Sequence, residues 1–177
     1  FPMKTTCTKA DTYDILVLGS GEAGKYIAWT LAKQGRRVGV IERKYIGGSC
    51  PNIACLPSKN IIHSAKIASY FFRSSEFGIT KDNCNIDMTV VRERKRKMVS
   101  GLVDVHLANY KATGAELLMG SGRFTAPKII ELTLPDGGKR LLQGAKIIIS
   151  TGSRATIEPI PGLLEANPLT HIEALEL

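Results

Sequence analysis

"YDILVLGSGEAG", residues 13–24, decides how the rest of the chain is read. The mostly apolar run 13–18 passes straight into glycines, which is the pattern of a buried parallel strand. Gly19 suits a tight turn, Gly21 lets backbone approach a pyrophosphate with no side chain between them, and Gly24 lets a helix pack closely on the strand. Helical spacing follows through Ala23, Ile27, Ala28, Leu31 and Ala32, and Gly35 stands where a C-terminal cap belongs. "RVGVIE", 37–42, reads as a second buried strand and completes a strand–helix–strand unit. The helix start presents N–H groups and the positive end of its dipole to an anion. Glu42 lies eighteen residues past Gly24, where an acid can accept hydrogen bonds from ribose hydroxyls. A dinucleotide is therefore expected, its pyrophosphate at Gly19, Ser20, Gly21, Glu22, Ala23 and Gly24. FAD and NAD use the same device, so this loop leaves the choice between them open.

Working outward, the 177 residues are 44% hydrophobic and 23% charged, enough for one good core and unlike a disordered chain. No apolar run approaches the roughly 18 residues of a membrane span, and the first fifteen residues lack the apolar centre of a signal peptide. The expected location is the cytoplasm, with no membrane partner. Residues 1–11, where Met3 follows a start that is not methionine, are set aside as a disordered or artificially appended N-terminus; 12–177 are read as one domain. The net charge of +8 is spread along the chain apart from "RERKRK", 92–97. That run falls in a helix over 87–113 whose apolar side is Val90, Val91, Met98, Leu102, Val105 and Leu107, so it reads as a solvated face. No aromatic residues interleave with it as base stacking requires, so no nucleic-acid partner is expected.

Residues 60–72 continue as a helix and 73–86 as a polar connection. After 113 the pattern turns to strands: "AELLMGSGRFT", "KIIELTL" and "KRLLQGAKIIIST", with Asp136-Gly137-Gly138 as the strongest hairpin signal and 147–149 rejoining the central sheet. The fold class is α/β: a Rossmann-like domain with a central parallel sheet and an inserted antiparallel β-meander.

Two of the four cysteines, Cys50 and Cys55, lie five residues apart in "IGGSCPNIACLPSKN", 46–60, with Pro51 and Pro57 bracketing the second. The spacing lacks the two-residue knuckle of structural zinc, and His63, His106 and His171 form no ligand pattern with it, so no metal is expected. In a regular helix, residues five apart have Cα atoms about 8–9 Å apart, beyond the roughly 7 Å a disulfide tolerates. Joining the pair therefore demands a distorted first turn, which both prolines favour. A strained bridge at a helix start is easily reduced, and the helix terminus favours a released thiolate. The pair reads as a catalytic dithiol, with two unbridged core thiols as the alternative. Cys7 and Cys84 have no assigned role.

Together, "GSGEAG", "VIERKYIGGSCPNIACLPSK", "GSGRF", "IIISTGS" and "IEALEL" resemble the FAD-binding domain of the pyridine nucleotide-disulfide oxidoreductases over about 12–177. Within that family "CPNIACLPSKN" looks most like mercuric reductases and dihydrolipoamide dehydrogenases. The resemblance implies FAD, with its ribose at Glu42, Arg43, Lys44, Gly47, Gly48 and Ser49 lining it, and Gly122, Thr151 and Gly152 reaching it from later strands. It implies that Cys55 is the charge-transfer thiol, Cys50 the interchange thiol, and Lys59 the cation beside the flavin. Electrons would pass from NAD(P)H through FAD to a Cys50–Cys55 disulfide and on to a small-molecule or disulfide acceptor such as Hg(II) or a disulfide.

A second dinucleotide loop and a dimerisation domain are not found in these residues, so the full-length enzyme is expected to be a homodimer that binds NAD(P)H elsewhere. This piece alone is expected to be inactive and to hold FAD weakly. The alternative function is a non-catalytic FAD-binding module or thiol redox sensor; a plain NAD-linked dehydrogenase leaves the cysteines unexplained.

Overall fold

In the computed structural model, residues 10–80, 83 and 85–177 are described; Cys7 and Cys84 lie outside them. The described residues divide into two compact units, one within 10–48 and 105–152, the other within 49–104 and 153–177.

The first unit is built on a six-stranded sheet. Its strands are β1 (Asp11–Leu18), β2 (Val38–Glu42), β3 (Glu116–Met119), β4 (Ser121–Ala126), β5 (Ile129–Thr133) and β6 (Lys139–Ile149), in the order β3-β2-β1-β6-β5-β4. Pairing is parallel from β3 through β2 and β1 to β6, and antiparallel from β6 through β5 to β4. Helix α1 (Glu22–Lys33) connects β1 to β2 as the glycine-loop reading requires. Gly35, at φ +80, closes it, donating from its N–H to the Ala32 carbonyl.

Alternation along β1 and β2 sends side chains to two cores. Ile15, Val17, Val38 and Val40 pack with Ala28 of α1 and with Tyr110 and Ala115. Leu16 and Ile41 turn the other way, onto Leu118, Ile130, Leu132 and Leu142. The sheet curls around this second core. β3 and β4 are its two ends in strand order, yet only Gly120 separates them in sequence. Gly120 has φ +150, and a Cβ there would lie 2.4 Å from the Thr133 carbonyl oxygen, so the corner admits no side chain.

The fold class is as the sequence implies, with two differences. The stretch read as one strand, 115–125, is cut by Gly120 into strands serving opposite ends of the sheet. Conversely, β6 does not break before 147: one 11-residue strand pairs with β5 through Lys139–Gln143 and with β1 through Leu142–Ile149.

The second unit is helical, with α2 (Ser49–Asn52), α3 (Cys55–Phe72), a 3-10 turn (Ser74–Phe77) and α5 (His171–Ala174). Helix α4 (Met88–Thr113) has residues in both units. Asp87 caps α4, its Oδ1 accepting from the N–H groups of Thr89 and Val90. Among the described residues no helix is long and apolar enough to cross a membrane.

Candidate functional site

The loop after β1 carries three glycines, and they are glycines for different reasons. Gly19 has φ +104, and an added Cβ would sit 2.2 Å from the Ser150 carbonyl oxygen; one on Gly24 would sit 2.1 Å from the Gly19 carbonyl oxygen. Backbone packing alone demands both. Gly21 is different: only the Ser150 oxygen, at 3.9 Å, comes near its missing side chain, and its φ of −62° suits any residue. Nothing in the protein requires glycine there, and the open space beside it is what a pyrophosphate needs. No side chain caps α1, which leaves its first-turn N–H groups for an anion. The residues present therefore fit the phosphates of a dinucleotide.

Two later segments meet this loop. Ser150 and Thr151, leaving β6, lie against Gly19. Gly48, at φ +84, sits so close that a Cβ on it would be 2.4 Å from the Gly21 Cα. The structure thus gathers Gly19, Gly21, Gly24, Gly48 and Thr151 at one place. Gly152 follows at φ +66 with open space around it, and Arg43 and Lys44 are exposed. Gly122 is accounted for by packing: a Cβ there would meet Leu18 at 2.7 Å and Ile41 and Ile130 at 3.2 Å.

Glu42 ends β2 and is buried, at 9% exposure. Its carboxylate is already engaged. Oε2 accepts from the Ser20 N–H at 3.0 Å and the Ser20 hydroxyl at 2.7 Å, while Oε1 accepts from the N–H groups of Lys44 at 2.8 Å and Tyr45 at 3.0 Å. Ribose contact would need some of these donors to let go. Ser20 is the joint of the arrangement, because its Oγ also accepts the Gly47 N–H at 3.0 Å. That structural part for Ser20 was not legible in the glycine motif. Glu42 also acts on Tyr110, whose pKa is held above the usual tyrosine range by burial first and by this carboxylate second.

The thiol pair belongs to the second unit. Cys50 lies in α2 and Cys55 opens α3, with Ile53 and Ala54 outside both helices. Ala54, at φ −137 and ψ −98, is far from helical geometry. The distortion expected between the cysteines is present. The part played by Pro57 differs from expectation. It stands in the first turn of α3, where no N–H has an intrahelical partner, and the ladder starts one residue later with Ser58 N–H to the Ala54 carbonyl. Pro57 costs α3 nothing, but it cannot donate to Ile53 and so forbids one helix running from 49 to 60. Cys55 is exposed and carries a free thiol, and Cys50 is half-buried; the bridge is not formed in this structure. Lys59 is exposed on α3, four residues after Cys55, and Ser49 is exposed at the start of α2.

The basic run of α4 is exposed at Arg94, Arg96 and Lys97, as expected of a solvated face, but not at Lys95. Lys95 is only 2% exposed and donates to the Leu175 carbonyl and to Glu176, while Arg96 donates to the other Glu176 oxygen at 2.8 Å. Arg94 donates to the Asn60 carbonyl and, at 2.7 Å, to the Ser64 hydroxyl of α3. These charges fasten elements of the second unit together. Only the acceptors near the end of the chain, which composition does not reveal, would have shown it.

A family model for the pyridine nucleotide-disulphide oxidoreductases matches residues 13–176. The chain belongs to this family. It is 35% identical over 169 residues to a dihydrolipoyl dehydrogenase of Mycobacterium leprae, covering 92% of this chain and 35% of that one. It is 35% identical over 168 residues to a mercuric reductase of Shigella flexneri, covering 91% and 29%. Among solved structures, a Cu(II) complex of the HOCl-induced flavoprotein disulfide reductase RclA from Escherichia coli superposes with a TM-score of 0.77 at 28% identity, covering 94% of this chain and 35% of that one. The chain thus spans about a third of the length of the relatives it matches. Both enzyme types that "CPNIACLPSKN" resembles are among them.

Proposed function

We propose that this chain is the FAD-binding, dithiol-bearing part of a NAD(P)H-dependent flavoprotein disulfide oxidoreductase. The observation that carries this reading is the helix break at Ile53–Ala54 between Cys50 and Cys55, in a chain of this family whose Gly21 is explained by no protein contact.

FAD, when bound, supplies a two-electron relay between NAD(P)H and the thiol pair. The chain's own residues do the rest. The glycine loop and the start of α1 hold the pyrophosphate, and the Glu42–Ser20 pair keeps the loop in shape. Reduction of a Cys50–Cys55 disulfide takes two electrons and two protons and yields two thiols. The Cys50 thiolate then attacks a disulfide acceptor, releasing one thiol, and Cys55 displaces the second while the bridge re-forms. Cys55 is assigned as the charge-transfer thiol and Lys59 as the cation that offsets charge on the reduced cofactor. A thiophilic metal ion such as Hg(II) is the other acceptor class, favoured by the names of the mercuric reductase and of the Cu(II) complex. Ile62, Ile67, Tyr70 and Phe72 are more than half exposed along α3, apolar surface that suits the expected homodimer.

The visible spectrum tests this. The chain mixed with FAD is expected to turn yellow and, on partial reduction, to show a long-wavelength band that Cys55→Ser abolishes. A protein that takes up no FAD would overturn the reading.

A further inference from the structure

Behind the glycine loop stands a lysine that the dinucleotide motif does not call for. Lys25, in the first turn of α1, is 3% exposed. A buried ammonium must have each of its donors met. Its Nζ lies 2.7 Å from Glu22 Oε1, 3.4 Å from the Gly47 carbonyl oxygen and 2.8 Å from His106 Nε2. An ammonium has no lone pair, so in this contact Lys25 donates and His106 Nε2 is the acceptor. His106 comes from α4, is 7% exposed, and packs on Trp29, one turn along α1 from Lys25, with ring centres 5.8 Å apart.

The same imidazole is the floor under Gly47. A Cβ on Gly47, at φ +89, would lie 3.0 Å from His106 Cε1 and Nε2. The next residue, Gly48, is the one pressed against Gly21. Gly47 is therefore held from three sides: its N–H by Ser20, its carbonyl by Lys25, and its Cα face by His106. Loops with two consecutive glycines at positive φ have many conformations available, so something must choose one.

We propose that Lys25 and His106 are positioning residues that seat Gly47–Gly48 on the glycine loop and so shape the pyrophosphate cradle. Its consequence for cofactor affinity rests on the FAD reading above; the seating itself does not. Lys25→Met keeps the volume and loses the donors. His106→Leu loses the acceptor, and His106→Gln returns one through its side-chain oxygen.

Hydrogen exchange of the 44–49 segment, measured below the melting temperature of every variant, reads the seating without cofactor. Lys25→Met and His106→Leu are expected to lose at least about tenfold of its protection, with His106→Gln recovering most of it. FAD titration should follow the same order, with about tenfold weaker binding for the first two. Protection unchanged in Lys25→Met and His106→Leu, or His106→Gln behaving like His106→Leu, would overturn the proposal. Exchange in the expected order in a chain whose wild type binds no FAD would uphold the seating and sink the cofactor reading instead.

Discussion

Among the described residues each unit buries one lysine almost completely, and the two are satisfied in opposite ways. Lys25, 3% exposed, draws on groups that already surround the glycine loop: Glu22 from its own helix turn, the Gly47 carbonyl and His106. Lys95, 2% exposed, takes its partners from the end of the chain, Leu175 and Glu176, about eighty residues on. A buried cation is costly unless every donor is met. The first therefore constrains the shape of a loop, and the second constrains where a segment lies. The contrast extends to the neighbouring carboxylates: Glu42 is buried and saturated largely by backbone N–H groups, whereas Glu176 is about half exposed and held by side-chain cations.

Perturbing each unit in turn sharpens that contrast. The largest effect is expected from Gly24→Val, which forces atoms onto the Gly19 carbonyl; thermal unfolding should show a loss of about 3 kcal/mol or more. Glu42→Ala strands the Ser20, Lys44 and Tyr45 donors and is expected to cost about 2–3 kcal/mol, with exchange rising at 20 and 44–47. Lys95→Met should cost about 2 kcal/mol, with limited proteolysis now cutting near 171–177. If instead it left the tail protected, the fastening assigned to the basic run would be wrong.

The pH responses of the two units should differ in direction. Burial, and then the hydrogen bond to Glu116, push Tyr13 up to about 12. A raised phenol stabilises the fold fully below its ordinary value near 10 and loses that contribution as pH climbs from 10 toward 12. Alkaline melts should lose about 1–2 kcal/mol over that window, and Tyr13→Phe should flatten the loss. Glu176 is shifted the other way: the Lys95 ammonium, against some desolvation and with help from Arg96, holds its carboxyl below the usual range. Its contribution is complete at neutral pH and fades as the pH falls through the lowered value. Because Glu176 is half exposed, this should amount to less than about 1 kcal/mol, seen as faster exchange at 170–177 in acid and absent in Glu176→Gln.

Much of the first unit was legible because glycines report backbone constraints directly. Gly19, Gly24 and the helix behind them follow from a spacing that few other arrangements need. Lys25 carried a fainter signal: it lies three residues before Ala28 on the side of α1 that packs inward, where a lysine is out of place. Its partner His106 is 81 residues away and could not be paired with it from spacing. Gly120 was read as part of one strand because residues on both sides have strand character; only the curl of the sheet makes it a corner. In the second unit, the helix break was legible from Pro51 and Pro57. The burial of Lys95 within an otherwise exposed basic run is not legible, because a charge pattern on one helix does not show that its acceptors arrive from the far end of the chain.

The long strand β6 bears on how this sheet is assembled. Its pairing with β1 joins segments far apart in sequence: Asp11 binds Arg140 across 129 residues. Bringing such distant segments together is entropically slow, whereas the β5–β6 ladder closes across the short turn at 134–138. A β6 already straightened by its hairpin would meet β1 as a formed template, register set at Leu142 before Ile149 arrives. The glycine loop, wedged against Ser150 just past the strand, would then be among the last parts of the first unit to lock.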